Sequence, residues 1–144
     1  MLFSSLVDAD SLDTEKHFLK DKYFSRKNLS FNPDLLLAML KMKFDSFSQS
    51  TEKINILRNE VRMYAESKAI MPQGCFSLTL PTGLGKTLCS INWALHHAKH
   101  HPNVKRIIIV LPFISIIDQT AEVLKDIFKD DNGGYVLEHH SNVV

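Results

Sequence analysis

The hydrophobic positions in the first half of the chain recur at helical spacing. In residues 1–24, apolar residues three and four positions apart form one helical face. Asn32 and Pro33 then mark a helix start, because an amide side chain can cap a helix and proline suits its first position. This helix should end at a polar break with a new cap at 48–51, followed by a third helix with an apolar stripe over 54–68.

The second half of the chain alternates short β-type runs with helical patterns. Residues Cys75–Leu80 have the pattern of a buried strand, and Tyr135–Glu138 that of a short third strand. Arg106–Leu111 is a continuous β-branched run, as expected for a parallel strand covered on both faces. Helical spacing separates these runs at Thr87–Lys99 and Ile116–Phe128. This alternation predicts a parallel sheet with right-handed crossovers. The expected fold class is therefore α/β: an N-terminal helical segment, then a partial parallel sheet with flanking helices.

Composition limits the classes of protein that remain. Apolar residues make up 44% and charged residues 23% of the 144 residues, which excludes disordered and fibrous classes. The longest apolar run is far shorter than the about 20 residues needed to cross a bilayer, and two cysteines do not make a disulfide framework. We therefore expect a cytoplasmic protein. The net charge is only +1, but residues 51–100 carry 6 basic and 3 acidic residues, which favours phosphate chemistry there.

A glycine-containing loop lies between the first predicted strand and the helix that follows it. Glycines at positions 83 and 85 permit positive φ and let a phosphate approach the backbone closely. Successive amides at a helix N-terminus then form an anion-binding nest. A phosphate loop requires this context, and an ordinary glycine-rich turn is the alternative. The loop residues are Leu80, Pro81, Thr82, Gly83, Leu84, Gly85, Lys86 and Thr87.

Two side chains of this loop carry the expected chemistry. Lys86 should contact the β- and γ-phosphates of ATP, and the Thr87 hydroxyl should ligate Mg²⁺. The general phosphate-loop pattern opens with glycine, whereas Leu80 stands at that place here. The Pro-Thr-Gly opening instead resembles the superfamily 2 helicases and translocases. That resemblance implies a RecA-like P-loop domain that uses ATP and Mg²⁺.

A second segment resembles the same superfamily. Pro112 and Gln119 are spaced as in its motif Ia, after the second predicted strand and at the start of the next helix. In the family this region holds the nucleic-acid backbone through amides and hydroxyls. The resemblance therefore implies single-stranded DNA as a partner, with Ser115 and Thr120 as further contacts. An ordinary strand-loop-helix junction is the alternative.

The order of the segments resembles the CRISPR-associated helicase-nucleases of type I systems. Residues 1–16 are similar to the closing segment of an HD-type metal nuclease domain, and 138–141 (Glu-His-His-Ser) follow the helicase motifs in the family's order. The resemblance implies the end of the nuclease domain at 1–50, a linking helix and turn at 51–74, and the start of the first RecA-like helicase domain at 75–144. It also implies a divalent nuclease metal and an RNA-guided Cascade surveillance complex as a partner.

The nuclease resemblance points to a metal-binding carboxylate near the N-terminus. Asp10 is preferred over Asp8, because Asp10 shares a helical face with apolar residues and a buried carboxylate needs a cation or hydrogen-bond donors. A buried carboxylate held by hydrogen bonds or a salt bridge is an equally good interpretation.

Other polar and aromatic residues also have two interpretations. Asn55 and Arg58 lie upstream of the phosphate loop, where the superfamily contacts adenine, and an exposed polar helix face is the favoured alternative. Trp93 and Phe113 are expected in the core rather than as platforms for base stacking.

The motifs that are missing determine the expected activity. No His-Asp pair and no strand ending in Asp-Glu occurs in the 144 residues. We therefore expect a fragment of an ATP-dependent DNA translocase and nuclease that binds nucleotide without hydrolysing it. The alternatives are a fragment of another superfamily 2 helicase or restriction translocase, and a non-catalytic nucleotide-binding remnant.

Overall fold

The computed structural model describes residues 30–48, 52–129 and 134–138. Within these ranges, α3 packs against α1 and α2, and α1 also packs against α4. None of the described helices combines the length and the apolar character that crossing a membrane requires. The helix bounds are α1 (Pro33–Ser48), α2 (Lys53–Ser67), α3 (Lys86–His100) and α4 (Ile114–Phe128).

The first described helix begins where the sequence predicts. Asn32 Oδ1 accepts a hydrogen bond from Leu35 N at 3.2 Å, and Pro33 takes the first helical position. Because the amides of the first turn have no intrahelical acceptor, this side-chain bond stabilises the helix end. The capping prediction is therefore confirmed for α1. It is wrong for α2, whose N-cap is Glu52, outside 48–51, and makes no side-chain capping bond.

The core lies where α1, α3 and α4 meet. Leu40 of α1 is fully buried and Leu95 of α3 is 1% exposed, and Leu124 and Phe128 of α4 belong to the same cluster. Burying a side chain of this kind stabilises the fold by roughly 1.5–3 kcal/mol. Helix-on-helix packing therefore holds this part of the chain together.

The predicted parallel sheet is wrong. The described residues contain no strand and no β-bridge, so the α/β class with a partial RecA-like sheet is replaced by helices joined by extended connections. Ile108 is 75%, Val110 87% and Leu137 89% exposed. Strand formation depends on cross-strand pairing and on burial of the apolar faces. These runs have no cross-strand partner among the described residues, and only some of their side chains, such as Ile107 and Val136, pack against the helical core.

A groove of about 790 Å³ lies between α2, α3 and the extended segment that precedes α3. The apolar stripe predicted for α2 forms one wall: Leu57 is 43% and Tyr64 68% exposed, and only Ala65 of that stripe is buried. Trp93 of α3 lies on the opposite wall, half-buried, with its ring 4.9 Å from that of Phe76. The stripe of α2 thus lines an open groove instead of a closed core.

Candidate functional site

The backbone between Leu80 and Lys86 contains two left-handed glycines. Gly83 has φ of 89°, and Gly85 has φ of 73° with ψ of 38°. Glycine enters this region without the steric cost that other residues meet. A Cβ added at either glycine would contact no atom within 4 Å, so the space beside the loop is open. The positive φ predicted for these two positions is confirmed.

α3 begins directly after this loop. Its N-cap is Gly85, and the first backbone bond reaching back runs from Cys89 N to Gly85 O at 2.9 Å. The amides earlier in the first turn have no intrahelical acceptor, and the helix dipole adds partial positive charge at this end. The Leu84 side chain is only 7% exposed, so its burial fixes the position of the loop. Free amides beside open space form a suitable site for an anion.

The two side chains predicted to carry the chemistry have different surroundings. Lys86 Nζ donates to Leu80 O at 2.8 Å, which links the end of the loop to its beginning. An ammonium group has three donors, so this bond leaves donors for a ligand. Thr87 is exposed and shares a cleft of about 170 Å³ with Gln119 and Thr120. The structure thus brings the predicted Mg²⁺ ligand next to two predicted DNA contacts.

Arg58 of α2 contacts the loop from outside. Its Nε and Nη2 donate to Gly83 O at 3.0 and 2.7 Å, and its Nη1 donates to Asn55 Oδ1 at 2.9 Å. Asn55 lies three residues earlier on the same helix face. The sequence does not predict this contact with the loop, because no local pattern signals that residues 25 positions apart touch.

The start of α4 presents further predicted DNA contacts to solvent. Pro112 and Ser115 are both exposed. Phe113, the N-cap of α4, is 65% exposed, so its expected place in the core is wrong. The reason is that α4 buries another face, which includes Leu124 and Phe128. The ring is therefore accessible between two predicted DNA contacts, which leaves open the alternative of a platform for base stacking.

The C-terminal half of α3 contacts the end of α2 and the turn that follows it through histidines. His97 Nδ1 lies 2.8 Å from Ala69 O, and His96 Nε2 lies 3.3 Å from the Glu66 carboxylate. Burial lowers the pKa of His96, and the carboxylate opposes this shift without reversing it. His96 therefore favours its neutral form even though an acidic partner is near.

The predicted nuclease carboxylates, Asp8 and Asp10, lie outside the described residues. Within the ranges that the structure describes, no three histidine, cysteine or acidic residues are grouped closely enough to hold a metal ion. The metal prediction for the N-terminal segment stays a prediction.

Residues 59–142 match the family described as DEAD/DEAH box helicase. The match covers more than half of the 144 residues, and the chain belongs to this family of superfamily 2 helicases. The expected membership in superfamily 2 is thereby confirmed. Helicases of this family generally use ATP with Mg²⁺ and act on nucleic acid. Comparison with curated proteins and with solved structures finds no match.

Proposed function

We propose that residues 80–87 bind the phosphates of ATP together with Mg²⁺. The observation that carries this proposal is the pair of left-handed glycines, Gly83 and Gly85, beside open space at the N-terminus of α3. The free amides of the first turn of α3 and the helix dipole stabilise bound negative charge.

Each polar side chain of the loop has a separate role in this proposal. Lys86 adds a point charge for the β- and γ-phosphates, and it needs only to share or release its bond to Leu80 O. The Thr87 hydroxyl suits Mg²⁺, which prefers oxygen ligands. Mg²⁺ itself supplies neutralisation of phosphate charge when bound.

The second part of the proposal is that the start of α4 binds single-stranded DNA. Pro112 and Ser115 are exposed there, and Phe113 presents its ring to solvent between them. Aromatic rings stack on bases regardless of sequence, which suits a translocating protein. Gln119 and Thr120 of the same helix lie beside Thr87, which supports contact between the nucleic-acid surface and the phosphate loop.

The biological setting that we propose is CRISPR antiviral defence of type I, as part of a helicase-nuclease that acts with Cascade. The support is the order of the segments that the resemblance implies: an HD-type nuclease end at 1–50, a linker at 51–74, and the start of the helicase ATP-binding domain at 75–144. In this setting Asp10, with Asp8 as the second choice, holds a nuclease metal. The test is binding to a Cascade-bound DNA loop, and equal binding to free duplex DNA contradicts it.

The phosphate-binding proposal is tested by calorimetric titration of the 144-residue chain with Mg²⁺ and ATP. We expect binding that Lys86→Ala weakens at least about tenfold, the effect of one lost charge-assisted contact. Lys99→Ala is the matched control, because Lys99 lies on the same helix and pairs with Asp34 at 2.7 Å. We expect no ATP turnover, since no Asp-Glu pair is present. Absent binding, or equal losses in the two variants, contradicts the proposal.

A further inference from the structure

We infer that Arg58 is a positioning residue of the phosphate loop, acting through the main-chain carbonyl of Gly83. The inference rests on the proposed phosphate-binding function and adds a residue from a separate helix to it. Arg58 directs two donors, Nε and Nη2, at one acceptor, Gly83 O, at 3.0 and 2.7 Å. Both distances are those of good hydrogen bonds, so the contact holds the loop to α2.

Asn55 sets the direction of the Arg58 guanidinium. Asn55 Oδ1 accepts a bond from Nη1 at 2.9 Å. Because a guanidinium is planar and its donors point in fixed directions, holding Nη1 aims the other edge at Gly83. Arg58 is exposed, so surrounding packing does not impose this orientation. The bond to Asn55 supplies it.

The contact affects which backbone amides remain free for a ligand. Gly83 O is the acceptor that Thr87 N would use if α3 began two residues earlier, since helical bonds join residues four apart and the first such bond now runs from Cys89 N to Gly85 O. A carbonyl oxygen has two lone pairs, and two donors of Arg58 engage it. Gly83 O therefore competes poorly for the amide of Thr87. That amide remains available to a phosphate oxygen.

A direct bond from Arg58 to a phosphate would have different consequences. A direct ligand of the terminal phosphate contributes to ATP binding and not to ADP binding. A residue that shapes the loop sets the positions of the amides around every phosphate. Its loss therefore lowers the affinities for ATP and for ADP by the same factor. The ratio of ATP to ADP affinity therefore separates loop positioning from a direct bond to the terminal phosphate, and hydrogen exchange of residues 80–88 without ligand separates it from direct contact with the parts that the two nucleotides share.

The experiment uses calorimetry to measure the dissociation constants of the 144-residue chain for ATP and for ADP, each in the presence of Mg²⁺. We expect Arg58→Gln to lower the affinity for both nucleotides about tenfold, because hydrogen bonds from a charged donor are lost. Arg58→Lys should recover part of the loss, because an ammonium can still donate to Gly83 O. Asn55→Ala should lower both affinities by a smaller factor, which is again the same for ATP and ADP. Arg62→Gln is the matched control on α2, because the Arg62 guanidinium lies over the Phe44 ring, 4.0 Å from its centroid. This variant should bind ATP and ADP with the affinities of the unchanged protein.

Two results overturn the inference: an Arg58→Gln variant that binds both nucleotides normally, or a loss confined to ATP. If thermal unfolding shows that Arg58→Gln does not fold, Arg58→Lys and Asn55→Ala carry the same comparison. If the unchanged chain binds neither nucleotide, the proposed function fails, and hydrogen exchange of residues 80–88 without ligand then decides the inference. Faster exchange in Arg58→Gln but not in Arg62→Gln supports it, and unchanged exchange overturns it.

Discussion

Gly85 has a left-handed backbone and open space where a side chain would begin. Substitution at Gly85 therefore tests the cost of backbone strain without the cost of a steric clash. Its φ is 73° and its ψ 38°, and an added Cβ meets no atom within 4 Å. Gly85→Ala therefore causes no clash and costs only backbone strain. That strain is roughly 1–2 kcal/mol for a residue with a Cβ in this region. Alanine also restricts the unfolded chain, which offsets about 0.4–1 kcal/mol.

The expected result is a loss of about 1 kcal/mol in the free energy of unfolding. Urea denaturation followed by circular dichroism measures it. Gly74→Ala is the matched control, because its Cβ would meet only Pro72 O at 3.9 Å, an ordinary contact, and its φ is not left-handed. Gly74→Ala should leave stability unchanged or raise it slightly. Equal stability of the Gly85→Ala variant and the unchanged chain would refute the reasoning.

Gly85→Asn separates the backbone requirement from access of the ligand. Asparagine tolerates the left-handed region better than alanine, so this variant should recover part of the lost stability. Alanine and asparagine both place a side chain in the open space beside the amides, so Gly85→Ala should weaken ATP binding and Gly85→Asn should not restore it. Recovery of both properties would show that the space at Gly85 is not where a phosphate approaches.

Three further predictions follow from burial and exposure. Because burial lowers the pKa of His96, the folded state binds fewer protons than the unfolded state near the ordinary pKa of about 6.5. Protonation of His96 therefore lowers the stability of the folded state as the pH falls below that value. In His96→Gln, the decrease in melting temperature between about pH 7.5 and 5.5 should be smaller. Leu40→Ala empties a fully buried position and should lower the free energy of unfolding in urea by about 2–5 kcal/mol. Phe113→Ala should weaken binding of single-stranded DNA, measured by fluorescence anisotropy, by about 1–3 kcal/mol.

Each of these predictions has a control in the same protein. Glu66→Gln removes the carboxylate that opposes the shift at His96, so the loss of stability on acidification should become steeper, and a shallower loss contradicts the assignment. Leu35→Ala, at a position 41% exposed, should cost far less than Leu40→Ala. Phe47→Ala removes another exposed ring and should leave DNA binding unchanged. An equal loss in both phenylalanine variants would show that Phe113 is not a specific contact.

Local patterns predicted the helices and the loop well, and the sheet badly. Asn32 and Pro33 predicted the start of α1 because capping depends on a few neighbouring residues. The left-handed backbone at Gly83 and Gly85 was predictable for the same reason. The apolar run that includes Ile108 and Val110 has the composition of a strand. Composition does not supply a pairing partner, and in the described residues that run has none.

The amino-acid sequence by itself determined the helices, the loop with its two left-handed glycines and the membership in the DEAD/DEAH box helicase family, because these depend on residue types at short, regular spacing. Only the tertiary structure decided that Arg58 contacts Gly83, that Thr87 shares a cleft with Gln119, and that Phe113 is exposed. Each of these depends on how separate helices pack. Packing joins residues whose distance along the chain carries no information about their distance in space.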